Sequence, residues 1–325
     1  MDYNEKIHAI SRTREKRVYK NKSKDMSVNK KRDVMEAVIE KIFLLSAFIA
    51  VISVAAITIF VFYKGLQPFL PVREASGYSF WSFVSGLEWK PSGNIDNAKF
   101  GVLYMIFGSI FASAGAIVIG VPIGVFTAVF IAELAPKKVA KIVQPAVELL
   151  AGIPSVLYGV FGLGVIVPKI MRISPQSQGQ SLLAVMIVLS IMILPTVITI
   201  SEAAIRTVPK HYREGSLALG ASKITTIFKV TLPAAKSGIL AGVVLGIGRA
   251  IGETMAVMLV AGNPESGIPT SIWDPVRPLT TNIALEMGYA TGLHQDMLFA
   301  TGVILFLFII ILNLALSKIT SKAGE

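Results

Sequence analysis

Two charged residues stand where charge is costly. Arg249 and Glu253 fall within residues 238–262, a stretch of 25 residues with no other charge. On insertion scales a charged side chain at the centre of a membrane span costs about 2.5–3.5 kcal/mol, so such residues face a cavity or a partner and mark a pathway. Read as one continuous helix, the stretch puts both residues on one face through their spacing of four. A planar guanidinium offers paired N–H donors that match an oxyanion. Glu253 beside it would partly neutralise the charge, so that an anion is attracted without being trapped. The alternative is a buried ion pair that only fixes helix register. Glu148, the other carboxylate in an apolar stretch, sits early in its segment and reads as contacting a neighbouring loop or a helix N-terminus.

Other chemistries find no residues to carry them. The chain has no Cys, and its three His (His8, His211, His294) are widely separated, which removes disulfides, thiolate metal sites and a His-based metal cluster. No G-x-x-x-x-G-K-[ST], H-E-x-x-H or G-x-S-x-G pattern occurs. No catalytic residue, metal or cofactor is assigned, and the chain is not read as an enzyme.

The elements that would position Arg249 and Glu253 are membrane helices. Only 16% of the residues are charged and 53% are hydrophobic, against about 25% charged in an ordinary soluble domain. Six apolar stretches are long enough to cross roughly 30 Å of hydrocarbon: residues 42–63, 101–132, 142–167, 181–200, 238–262 and 297–316. The second contains Gly120-Val121-Pro122-Ile123-Gly124 and can tilt or kink to fit; the third is interrupted by Gly152-Ile153-Pro154, and the fourth holds Pro195. The first is too long for a signal-peptide core. The fold class expected is an all-α integral membrane protein of six transmembrane helices.

The net charge of +11 does not indicate a nucleic-acid binder, because most Lys and Arg flank apolar spans. With the N-terminus inside, the cytoplasmic segments hold 23 Lys and Arg and the outer segments 6, so both termini are expected to be cytoplasmic. Residues 1–41 carry 12 Lys and Arg against 7 Asp and Glu and read as a mobile cytoplasmic tail drawn to anionic lipid headgroups. The organisation expected is this tail, a first transmembrane helix at 42–64, an extracytoplasmic loop at 65–100, a core of five helices at 101–317 and a short cytoplasmic tail at 318–325. Trp81, Trp89 and Trp273 fall in outer loops, either anchoring them or docking an extracytoplasmic partner. The glycines of the middle spans, such as Gly120, Gly159 and Gly162, read as tight packing or as gating hinges.

One cytoplasmic loop, residues 201–237, is long and rich in helix signals. Pro209 suits a helix N1 position, Lys210 to Leu219 reads as helix, and Gly220 would end it in a left-handed turn. Ser222 would cap a second short helix running through Val230, with Pro233 as its stop. Such an element needs another protein to cover its apolar face, by helix-in-groove docking.

The run Glu214-Gly215-Ser216-Leu217-Ala218-Leu219-Gly220, then nine residues and Val230-Thr231-Leu232-Pro233, resembles the EAA loop of importer permeases, E-A-A-x3-G-x9-I-x-L-P. Glu214, Gly220, Leu232 and Pro233 match at the right spacing; Gly215 and Ser216 replace the two Ala, and Val230 replaces Ile. Two further segments, Glu148 to Gly159 and Gly248 to Val257, resemble phosphate importer permeases, of the PstC type more than the PstA type. The resemblance covers roughly residues 100–316 and implies a type I ABC importer permease fold. It implies that Glu214, Gly215, Ser216, Gly220, Leu232 and Pro233 couple to a cytoplasmic ATPase dimer, and that Arg249 and Glu253 line the substrate pathway. It further implies a second permease subunit and an extracytoplasmic phosphate-binding protein as partners, the latter received by loops 65–100 and 263–296. A permease for molybdate or sulfate, or the partner permease of the same system, stands as the alternative.

Overall fold

The computed structural model describes residues 3–70, 78–92 and 97–324, with side chains described over 35–315 apart from the same gaps, and at Lys318. It divides into two compact units, Met1–Phe60 and Val61–Glu325. The first is helical from Tyr3, so the segment read as a tail is continuous with the helix of the first span. Its apolar side chains from Ile42 onward, among them Phe43, Leu44 and Ile52, are exposed all round, the pattern of a helix whose solvent is lipid.

The second unit is built around α7 (Leu182–Thr207). Ser181 caps it by accepting the Ala184 N–H, and its side chains are buried along most of its length. Against it pack α3 (Leu103–Val129) and α10 (Leu232–Gly252). Pro122 lies inside α3 without breaking it, and a π-helical turn at Phe130–Leu134 carries the element on to its end. The second span is therefore one continuous helix. Gly159 is required by close packing: a Cβ there would stand 2.8 Å from the Ala256 Cα, so any side chain would push the two backbones apart. Gly152 and Gly164 face open space and show no such demand.

Among the described residues, six helices are long and apolar enough to cross a membrane: Met35–Phe69, Leu103–Leu134, Ser155–Ile173, Leu182–Thr207, Lys223–Gly252 and Leu293–Ala315. The count agrees with the sequence, but two spans are displaced. The third begins at Ser155, because Pro154 lacks an N–H and holds Ile153 extended at φ −71°, ψ 127°. What precedes it is a separate amphipathic helix, α4 (Lys137–Gly152). Glu148 is thus not inside a span; it is exposed on α4, with its Oε1 3.5 Å from Gln144 Nε2. The fifth span runs Lys223–Gly252 rather than 238–262. Pro233 does not stop a helix: it stands in the first turn of α10, where its missing N–H does least harm, and a π-helical turn at Ile227–Thr231 joins it to α9 (Lys223–Thr226). At the other end α10 stops at Gly252, and a separate short helix, α11 (Met255–Val260), follows.

The described part of the segment between the first two spans is folded. Helix α2 (Phe80–Ser85) leads to a two-stranded antiparallel ribbon, β1 (Trp89–Lys90) with β2 (Lys99–Phe100). Trp89 and Phe100 are fully buried with Phe83, Met297 and Leu298 in one cluster. Of the three tryptophans, Trp89 is therefore a core residue and Trp81 an exposed one. The chain ends in α13 (Leu293–Gly324), so helix continues through most of the segment expected as a C-terminal tail.

Candidate functional site

Arg249 stands near the end of α10, half-buried, with its Nη1 3.5 Å from Thr196 Oγ1 on α7. Among the described residues no carboxylate lies within ion-pair distance of it. Glu253 does not share its helical face. It is the first residue beyond α10, extended at φ −71°, ψ 132°. Its Oε1 accepts the Ala256 N–H at 3.0 Å, which caps α11. The expected i,i+4 pair is therefore absent: the helix breaks between the two charges. Arg249 is left with a hydroxyl as its neighbour and its charge uncompensated, and Glu253 turns toward a different set of groups. Thr280, on α12 (Leu279–Glu286), donates its hydroxyl to the Glu253 backbone oxygen at 3.1 Å. Beside Glu253 opens a narrow recess lined also by Ser109 and Ser113 of α3.

The coupling residues form a second locality. Pro209 is the N-cap of α8 (Lys210–Ala218), one position before the N1 site expected. Gly220 has φ +84°, a left-handed backbone that L side chains rarely adopt. Ser222 accepts the Thr225 N–H at 3.2 Å and starts α9. Ser216 and Thr226 share a hydrogen bond of 2.9 Å that ties α8 to α9. Arg213 then fastens α8 to the spans: its Nη2 lies 2.7 Å from Glu133 Oε1 at the end of α3, and it donates to the Ile205 carbonyl of α7 at 2.7 Å. Glu214 and Gly215 are exposed, Leu232 is half-buried and Pro233 exposed. Leu219 is 90% exposed, and Tyr212, Leu217, Ile224 and Phe228 are exposed with it, an apolar surface shared by α8 and the first turns of the fifth span.

A third locality was not foreseen. Arg277 and Glu286 form a fully enclosed ion pair, each about 5% exposed. Glu286 also accepts the Trp89 indole N–H at 2.7 Å and meets His294 Nε2 at 2.7 Å. This cluster joins β1, α12 and the first turn of α13. Nearby, Asp274 accepts the Thr270 and Ser271 N–H groups at 2.8 Å each and the Gln176 amide at 3.0 Å. The Gln176 hydrogen bond, followed by those backbone donors, holds its carboxyl below the usual range despite some desolvation. The missed residues had only weak signals in the sequence: Thr196 and Ser113 are lone hydroxyls in apolar stretches, and Arg277, Glu286 and His294 sit in a loop of ordinary polarity.

A family model described as "Binding-protein-dependent transport system inner membrane component" matches residues 120–322. The chain belongs to this family. It is a multi-pass membrane protein of the ABC-permease class. It is 43% identical over 278 residues to a probable ABC transporter permease protein, YqgH, of Bacillus subtilis, covering 84% of this chain and 88% of that protein. It is 35% identical over 268 residues to the phosphate transport system permease protein PstC of Mesorhizobium japonicum, covering 75% and 80%. Among solved structures, a bacterial alginate ABC transporter in complex with an alginate-pentasaccharide-bound periplasmic protein superposes with a TM-score of 0.63 at 16% identity, covering 90% of this chain and 96% of that one. The methionine ABC transporter MetNI, in an inward-facing conformation, gives 0.51 at 20% identity over 69% and 94%. Identities this low speak for the fold alone.

Proposed function

We propose that this chain is a membrane permease subunit of an ATP-driven importer of inorganic phosphate, and that Arg249 and Glu253 act on the anion as it crosses. The observation that carries the reading is an unpaired guanidinium, Arg249, inside a span of a chain whose relatives include named phosphate permeases. A guanidinium left without a carboxylate inside a bilayer is costly, and a passing oxyanion relieves that cost while it is bound. The Thr196 hydroxyl orients the guanidinium without neutralising it.

The chain forms half of the pathway together with a second permease subunit. Both termini and the α8–α9 loop face the cytoplasm, in keeping with the excess of Lys and Arg on that side. The apolar surface formed by Leu219, Ile224 and Phe228 seats in a groove of the ATPase, and the Arg213–Glu133 ion pair passes its movement to α3. The folded outer segment around Trp89 receives the phosphate-binding protein. Reconstituting the chain with a second permease, ATPase and binding protein in liposomes tests this. Radiolabelled phosphate should accumulate only with ATP; accumulation of sulfate or molybdate in its place contradicts the phosphate assignment.

A further inference from the structure

Ser113 is an unusual serine. It lies inside α3, 7% exposed, where a hydroxyl ordinarily bonds back to the carbonyl four residues earlier. Ser109, one turn before it, does so, donating to the Met105 carbonyl at 2.8 Å. Ser113 has no hydrogen-bond partner among the described residues, and its side chain lines the recess beside Glu253. Across the recess, Glu253 uses Oε1 to cap α11 and has no cation beside it. A free donor and a carboxylate acceptor thus face one small space, with room for about one oxygen-sized group.

We propose that this recess receives a single vertex of a tetrahedral oxyanion, and that the vertex must carry a proton. The P–O–H group donates to the Glu253 carboxylate, and its oxygen accepts from the Ser113 hydroxyl. Phosphate carries such a proton in both of its ionic forms near neutral pH. A fully ionised oxyanion presents only acceptors to the recess, and its charge meets that of Glu253. Arg249 supplies attraction and the recess supplies selectivity, so the break in the helix between them has a purpose: it points the carboxylate at the ligand rather than at the guanidinium. This inference rests on the phosphate reading.

The test is phosphate moved per ATP hydrolysed by the assembled complex in liposomes, for Ser113→Ala, Ser113→Cys and Glu253→Gln. Loss of one hydrogen bond to a charged ligand predicts a fall in that ratio of about tenfold for Ser113→Ala and for Glu253→Gln, with the weak thiol donor of Ser113→Cys between Ala and wild type. A merely structural role lowers phosphate transport and ATP hydrolysis together and leaves the ratio unchanged. An unchanged ratio in Ser113→Ala or in Glu253→Gln overturns the proposal. If the wild-type complex itself moves no phosphate, the phosphate reading fails first; if wild type moves phosphate and the variants keep its ratio, only the recess fails.

Discussion

Arg277 and Arg249 are both drawn out of bulk water by the fold, yet their surroundings differ. Arg277 is enclosed with Glu286, whose carboxylate also serves Trp89 and His294. Every partner there belongs to the chain, and the cluster holds a ribbon strand, α12 and α13 together. Arg249 has a threonine hydroxyl at 3.5 Å and no carboxylate. A charge paired within the chain serves the fold; on the proposed function, a charge without a carboxylate serves an anion that comes and goes. On the proposed function, Arg277 is the structural arginine and Arg249 the transport one, a distinction open to test at several points.

The largest effect is expected at the paired site. Glu286→Gln or Arg277→Gln leaves a buried charge alone and should destabilise by about 3–5 kcal/mol, read as a fall in detergent melting temperature and in assembled yield. Arg249→Gln should leave the melting temperature near that of wild type. Equal destabilisation by Arg277→Gln and Arg249→Gln would erase the distinction. Next comes the coupling loop. Gly220→Val forces a β-branched residue to φ +84°, at a cost of about 1–2 kcal/mol in the left-handed region. Transport should be lost in a subunit that still inserts, and normal uptake would contradict the docking role of α8 and α9. Smaller still, Glu133→Gln removes the anchor of Arg213; uptake should fall about two- to fivefold, as expected for losing a partly exposed pair worth roughly 0.5–1 kcal/mol, with ATP hydrolysis retained. Smallest is Asp274. Because its carboxyl is held below the usual range, chiefly by Gln176, the order it gives the loop before α12 is present above the unfolded-state value and lost as pH falls through the lowered one. Asp274→Asn should abolish that acid-side change in proteolytic sensitivity of the loop while leaving behaviour at neutral pH almost unaltered.

Much of this was legible in the residues. Gly220 and Ser222 announce their turn and cap because each has a specific backbone job, and six spans follow from apolar length alone. The third span was misplaced because hydrophobicity outweighed Pro154, although the amphipathic face of α4, with Lys137, Lys138 and Lys141, marks a surface helix. Pro233 was misread as a stop because a proline is harmless in a first helical turn, and a π-helical turn absorbs the junction before it. The break after Gly252 had no proline to signal it; Glu253 caps α11 through its side chain, a role that Asp or Ser more often fills. Tertiary contacts, here Thr280 on the Glu253 carbonyl, decide where that helix ends. The Arg277–Glu286–His294 cluster was illegible because its members, with Trp89, are separated in sequence and meet only once β1, α12 and α13 have come together.

The pathway role of Arg249 is tested most directly by ATP-driven phosphate uptake in liposomes containing the double variant Arg249→Gln with Glu253→Gln, set beside Arg249→Lys. Arg249 and Glu253 do not pair with one another, so removing both charges strands neither, and a purely structural role predicts uptake near wild type in the double variant. A transport role predicts a complex that assembles and melts like wild type yet accumulates no phosphate, whereas Arg249→Lys, which keeps the charge without the forked donors, retains partial uptake. Uptake by the double variant near the wild-type rate would contradict the account and return Arg249 to the same class as Arg277.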